Sequence, residues 1–417
     1  MPAILRMRWS KRNTHEQQSR ASAAGRTGSE AKSGCAAASQ YGVTLAPTAQ
    51  RPCTDPRDPA EPQRPPLHQL LEVPVPERDA HLVGSLPGAT PAAAVATALE
   101  ILGPCLRSVP DGETGVRRNW IIPIIDGLRT HPDLELRKPG DWSDYDKTPQ
   151  FRVRKGRRLY GASLDFGHVE AVRESFPQFE RAREAAGRPD VVFQEGVPGD
   201  LDLAMFTLGP VGALRHRRAF TEGTLAEIRD VKSITGTDTL FQIEVPVELV
   251  LLTKAPAAAR PALARVLARA VTGLAAASAD GTRFAVHLCL GDMNNRAYGT
   301  MTDVSPLVLL ANAILHSWPE GRALDLMHAP FAAADQPASL APAFYAPLRD
   351  LHLPPDVRFA AGFAHESQTL DDQRRIRTII DDLLGRRVAI AAACGLGRRS
   401  ETAARAVLER TAELCEN

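Results

Sequence analysis

Short runs of branched and aromatic residues alternate along this chain with longer stretches whose apolar residues recur every three or four positions, and the alternation begins near residue 80. The short runs, at 81–85, 105–109, 190–195, 239–244, 284–289, 323–328, 358–364 and 387–393, read as β-strands. Helical patterns occupy 90–102, 117–130, 169–186, 221–232, 260–278, 305–317, 368–384 and 400–414. In the segment 368–384, Leu370, Ile376, Ile379, Ile380, Leu383 and Leu384 fall on one side. Asp371, Asp372, Arg374, Arg375 and Arg377 are left for solvent, and Gly385 stops the helix. Strands alternating with helices over residues 78–417 predict an α/β fold, a (β/α)8 TIM barrel, with an open doubly wound sheet as the second choice.

Residues 1–77 follow neither period. They are rich in Ser, Ala, Thr and Arg up to Gln50 and in Pro from Arg51 to Pro76, too poor in apolar surface to offset chain entropy, and are expected to be a disordered tail. Their Arg-rich, acid-poor start resembles an organelle transit peptide without its amphipathic helix, and a start site assigned too far upstream is an equal reading.

Composition narrows the function classes. The 417 residues are 44% hydrophobic with a formal net charge of +1, so a large core is available and there is no electrostatic case for a nucleic-acid partner. No run of about 18 apolar residues is free of charge or proline, so no membrane span is expected. The six cysteines (35, 53, 105, 289, 394 and 415) are scattered, which fits a reducing cytoplasm better than a disulfide framework. No obligatory protein partner is evident.

A TIM barrel places its chemistry at the C-terminal strand ends. Those ends carry Ser85; Asp111-Gly-Glu113; Glu195 and Asp200; Glu244; His287 and Cys289; His328; His365-Glu366; and Cys394. In Phe284-Ala-Val-His-Leu-Cys-Leu290 the side chains of His287 and Cys289 share one face, because residues i and i+2 of a strand point the same way. With Cys394 from a distant strand end they form the nitrogen and sulfur set that zinc prefers.

The segments Val83-Gly-Ser-Leu-Pro87, Asp111-Gly-Glu113, Gln242-Ile-Glu-Val-Pro246, His287-x-Cys289 and Cys394-Gly-Leu396, the last followed by basic residues, resemble in the same order the motifs of the catalytic C-terminal barrel of cobalamin-independent methionine synthase. The resemblance spans about 78–417, and the wider superfamily includes uroporphyrinogen decarboxylase. It implies a zinc-dependent, cobalamin-independent transfer of a methyl group from a small-molecule donor to a thiol, homocysteine or a related one. His287, Cys289 and Cys394 match three zinc ligands. Where the family carries Glu as the fourth, this chain reads Leu324-Asp-Leu-Met-His328, so His328 is the expected ligand and Asp325 the alternative.

The resemblance also implies that the Ser85 segment holds the amino acid's carboxylate and that Glu113 and Glu244 hold its ammonium. Glu113 could instead cap the helix starting near Arg117. Asp200 is expected on the substrate side. His365 matches a histidine near the leaving group, where it could act as an acid, and it could equally be a helix cap. Two stretches, Gly196-Val-Pro-Gly-Asp200 and Gly209-Pro-Val-Gly212, compete for the family's donor segment. Neither is followed by the Trp that stacks on the pterin, which puts methyltetrahydrofolate in doubt. The segment 138–168, with Trp142, Tyr145 and Tyr160 among arginines, reads as a lid, an anion clamp or a solvated hairpin. The other function classes are a metal-independent decarboxylase or lyase of the uroporphyrinogen type and a zinc- or thiol-binding barrel without turnover.

Overall fold

Eight parallel strands pair side by side, and a single bridge between Ala80 and Leu106 joins the first strand to the second side of the ring, closing a barrel. The structure, a computed structural model, describes residues 78–237 and 239–416; the tail expected over 1–77 lies outside the described residues. In chain order the elements are β1 (Ala80–His81), α1 (Pro91–Leu102), β2 (Ser108–Pro110), α2 (Ile121–Gly127), β3 (Leu134–Lys138), β4 (Gln150–Val153), α3 (His168–Ala185) and β5 (Val192–Pro198). They continue with α4 (Asp200–Thr235), β6 (Thr239–Val245), α5 (Pro246–Lys254), α6 (Arg260–Ala277), β7 (Arg283–Leu288), α7 (Ser305–His316), β8 (Ala323–Pro330) and α8 (Pro342–Tyr345). The last four are β9 (Arg358–Ala364), α9 (Leu370–Leu384), β10 (Ala389–Ala392) and α10 (Glu401–Cys415). The barrel order is β1-β10-β9-β8-β7-β6-β5-β2, and β3 and β4 form a separate antiparallel hairpin. Among the described residues no helix is long and apolar enough to cross a membrane.

The barrel is held by the two-residue period of its strands. One set of side chains, including Phe241, Ile243, Phe284, Val286, Phe359, Phe363 and Ile390, joins the buried layer shared with the surrounding helices. The alternate set points inward. Leu240, Ala285, Leu326, Ala360, Ala389 and Ala391 form a small apolar plug there. Truncating a fully buried ring of the outer layer, such as Phe284, would cost about 3–5 kcal/mol.

Above the plug the inward positions turn polar and satisfy one another. His81 Nε2 donates to Gln242 Oε1 at 2.8 Å, and Gln242 Nε2 donates to the Val83 carbonyl at 2.6 Å and to Glu244 Oε1 at 2.9 Å. Gln194 Nε2 donates to the Leu82 and Val83 carbonyls at 2.8 and 3.1 Å. This network ties the chain after β1 to the tops of β5 and β6, so the rim of the barrel rests on a rigid base.

The helix pattern at 368–384 is realised with its caps: Thr369 Oγ1 accepts from the Asp372 amide, and Gly385 follows at φ +63°. Other boundaries differ. The helix expected at 221–232 is the last part of α4, which starts at Asp200 and is kinked where Gly209 adopts φ 69°, ψ 176° before Pro210. A glycine-proline pair reads as a stop in sequence, and here two helical segments continue across it. Nor did the pattern predict α5, which follows β6 with Pro246 in its first turn.

Candidate functional site

The C-terminal ends of the strands surround a cleft with about 690 Å³ of empty space, its open mouth included. Ser85, Glu113, Glu244, Cys289, Cys394 and Arg398 line its floor. His287, Cys289 and Cys394 each bring a ligand atom to within 4.8 Å of the others. The two sulfurs are 3.9 Å apart, and Cys394 Sγ lies 3.9 Å from His287 Nε2. Two zinc–sulfur bonds of about 2.3 Å at a tetrahedral angle would hold sulfurs about 3.8 Å apart, so the spacing and donor set fit that metal.

His328 stands one shell back. Its Nδ1 lies 2.7 Å from His287 Nδ1 and its Nε2 is 2.9 Å from the Ala392 carbonyl, so both ring nitrogens are engaged and neither faces the sulfurs. Gly362 makes room for this ring, since a Cβ there would sit 2.7 Å from His328 Nε2. Burial pushes His328 down to about 4 and His287 well below its ordinary value, so both imidazoles are neutral. Asp325, near the start of β8, is paired with Arg283 and does not belong to the cluster.

The acidic part of the cleft is built with equal care. Glu113 has a left-handed backbone, φ 40°, fixed because its amide donates to Asp111 Oδ1 at 2.9 Å while Arg117 pairs with Asp111 and lies 3.7 Å from Glu195. Its side chain therefore turns into the cleft and does not cap the short 3-10 helix after it, whose N-cap is Thr114 with no side-chain bond. A Cβ on Gly196 would lie 3.1 Å from Glu113 Oε1 and 3.3 Å from Glu244 Oε1, so both carboxyls face the bare side of that glycine. Burial, then the neighbouring Asp111, pushes Glu113 up to about 7; burial, then Glu113, pushes Glu244 well up. These are carboxyls placed where a cation would relieve them.

Ser85 is fully buried, and its carbonyl accepts from the Leu396 and Gly397 amides at 2.6 and 3.1 Å. The glycines of Cys394-Gly-Leu-Gly397 permit that contact, because a Cβ on Gly395 would come within 2.5 Å of Ser85 Oγ. Arg398 Nη2 donates to Cys394 Sγ at 3.2 Å and pairs with Asp292 at 3.3 Å, while its Nη1 is 3.5 Å from Ser85 Oγ.

Two expected site residues are not brought to the cleft. Asp200 begins α4, where it pairs with Arg217 at 3.0 Å and accepts from the Thr221 hydroxyl. His365 is buried elsewhere, with Nε2 3.2 Å from the Ala334 carbonyl and Nδ1 2.9 Å from Ser367 Oγ, next to Glu366. The segment 138–168 reaches the cleft through its aromatic residues, Trp142 and Tyr145. Arg152 and Arg154 pair with Glu135 and Arg157 with Asp133, all three at least half exposed, so they form no anion clamp. Sequence reasoning also passed over Trp120, Phe206 and Asp292; the one available signal was the Gly291–Asn295 loop following the His-x-Cys strand.

No protein-family model and no curated protein sequence matches the chain. Among solved structures it resembles a B12-independent methionine synthase from a Shewanella species in complex with selenomethionine, at TM-score 0.52 and 13% identity, covering 82% of this chain and 97% of that one. A methyltransferase from Methanosarcina mazei gives a TM-score of 0.49 at 13% identity, with 82% and 94% of the two chains covered. At such identity the likeness is one of fold: this chain is an α/β barrel with the architecture of the B12-independent methionine synthase structure.

Proposed function

We propose that this protein transfers a methyl group to a small thiol, with zinc held by His287, Cys289 and Cys394 and no need for cobalamin. The observation that carries the reading is the spacing of that cluster, 3.9 Å between sulfurs and 3.9 Å from sulfur to imidazole, at the mouth of a cleft with two cation-seeking carboxyls. Three protein ligands leave a coordination position for substrate, as in catalytic rather than structural zinc sites. Zinc, when bound, supplies a Lewis acid that ionises a coordinated thiol at neutral pH.

The chain's own residues bind and orient the acceptor. Glu113 and Glu244 receive an ammonium group, and the Ser85 hydroxyl with the Arg398 guanidinium offers donors to a carboxylate, a pattern suited to an amino acid with a thiol side chain such as homocysteine. The barrel network through Gln242 fixes Glu244, and the Asp111–Arg117 pair fixes Glu113, so both carboxyls are held before substrate arrives. A decarboxylase acting on a polycarboxylate would need several cationic side chains. Arg398 is the one cation among the described residues lining the cleft, and Asp292 already pairs with it. The test is mass-spectrometric detection of methionine from homocysteine in zinc-reconstituted protein across a panel of methyl donors. Product with the wild type and none with Cys394→Ser supports the reading; thiol methylation by Cys394→Ser at the wild-type rate sinks it.

A further inference from the structure

From the walls of this cleft we infer that the methyl donor is an onium, a sulfonium or quaternary ammonium compound; the inference rests on the methyl-transfer reading above. Trp120, Trp142, Tyr145 and Phe206 all line the same cleft as the two cysteines. Their placement is built at some cost. Glu113, Trp120, Trp142 and Asn294 are all non-glycine residues with positive φ, and all four line the cleft. Trp120, at φ 50°, ψ −104°, lies outside the ordinary left-handed region, where a backbone costs about 1–3 kcal/mol.

The rings are fastened from behind. Trp142 Nε1 donates to Asp126 at 3.1 Å, and the Trp142 carbonyl accepts from Asn294 at 3.0 Å. Tyr145 OH donates to the Arg296 carbonyl at 3.0 Å and accepts from the Met293 amide at 2.8 Å. Trp120 Nε1 is buried without a partner, a donor left for a ligand's acceptor atom.

Charge selects among ligands for such walls. The lining carries Glu113, Glu244 and Asp292 against the single Arg398. The arginines that could have held an anionic tail, Arg152, Arg154 and Arg157, are paired with acids of the hairpin. Aromatic rings with excess carboxylate favour a cation.

Leaving-group chemistry points the same way. When the acceptor thiolate attacks an onium methyl carbon, a C–S bond forms as the C–S⁺ or C–N⁺ bond breaks. The electron pair stays on the departing sulfur or nitrogen, which leaves as a neutral sulfide or tertiary amine and needs no proton. A neutral amine donor would need an acid, and His365, the expected one, is held away by Ala334 and Ser367. Thiolate and onium also cancel each other's charge in the transition state, which a water-poor aromatic wall favours.

The test is a tryptophan-fluorescence titration of the full-length protein with S-methyl-L-methionine, with glycine betaine, and with tert-butylacetate, the uncharged isostere of betaine. The expected result is saturable binding of at least one onium, about tenfold or more tighter than tert-butylacetate and weakened in Trp142→Phe. The sulfonium and betaine arms decide between the two onium classes. Equal binding of betaine and its isostere with no response to the sulfonium overturns the inference, and needs no variant to be folded. Onium binding without methyl transfer to any thiol keeps the inference and sinks the methyl-transfer reading. Transfer from methyltetrahydrofolate with both oniums inert does the reverse.

Discussion

His287 and His328 share one hydrogen bond between their Nδ1 atoms, 2.7 Å apart, and that bond sets which nitrogen of His287 faces the cysteines. His328 Nε2 faces the Ala392 carbonyl at 2.9 Å and must carry a proton. A neutral imidazole has only one N–H, so its Nδ1 accepts, and His287 Nδ1 donates. The lone pair of His287 is thereby left on Nε2, the atom turned toward Cys394. His328 orients and polarises a metal ligand from behind.

Replacing His328 with Ala is therefore expected to weaken zinc about 10- to 100-fold while leaving a measurable site, as read by competition with a chromogenic chelator. Loss as complete as in His287→Ala would make His328 a direct ligand.

Gly196→Ala should weaken acceptor binding at least about tenfold with little change in melting temperature. Its Cβ would stand within 3.1 Å of Glu113 Oε1 and 3.3 Å of Glu244 Oε1, where the ammonium is proposed to sit, while alanine suits a strand better than glycine. Calorimetric binding of L-methionine, a stable product mimic, checks it. An unchanged affinity would move the ammonium elsewhere.

The carboxyl of Glu113, pushed up to about 7 by burial and Asp111 against the pull of Arg117 and Arg398, must be ionised to receive an ammonium. Below about pH 7 a proton has to leave on binding, so L-methionine affinity should fall by up to about tenfold per pH unit going down and be flatter above. Glu113→Gln should bind weakly and lose this slope, whereas a wild-type profile retained in that variant assigns the titration to another group.

Asp202 and Glu248 are a buried carboxyl pair away from the metal cluster, with Asp202 Oδ2 and Glu248 Oε2 lacking hydrogen-bond partners. Burial pushes Glu248 up to about 7. Between its unfolded value and about 7 the native state binds more protons than the unfolded chain, so the pair's contribution to stability falls as pH rises through that window. Glu248→Gln should raise the melting temperature at about pH 8 by roughly 2 °C or more and do little at about pH 4. The same shift at both pH values would separate the effect from ionisation.

Much of this was legible in the chain. All eight barrel strands announce themselves, because strands buried on both faces, such as Phe284 to Leu288, are nearly continuous apolar runs. His287, Cys289 and Cys394 were readable because a two-residue period and strand ends fix where such side chains point. What failed was less periodic. The β3–β4 hairpin is half exposed and charged, so its strands carry little alternation, and the aromatic residues between and beyond them had no period to betray that they reach the cleft. Asp200 and His365 sit at strand ends, yet nearby Arg217 and Ser367 claim their polar atoms, a competition no spacing rule records. The orientation of His328 depends on the bare Gly362 of the next strand, a contact made only when β8 and β9 pair.

The most direct measurement is the zinc content of the purified full-length protein by elemental analysis, beside Cys394→Ser and His328→Ala. The account predicts close to one zinc per chain in the wild type, almost none in Cys394→Ser and a reduced, chelator-sensitive content in His328→Ala. No zinc in the wild type, even after reconstitution under reducing conditions, would contradict it.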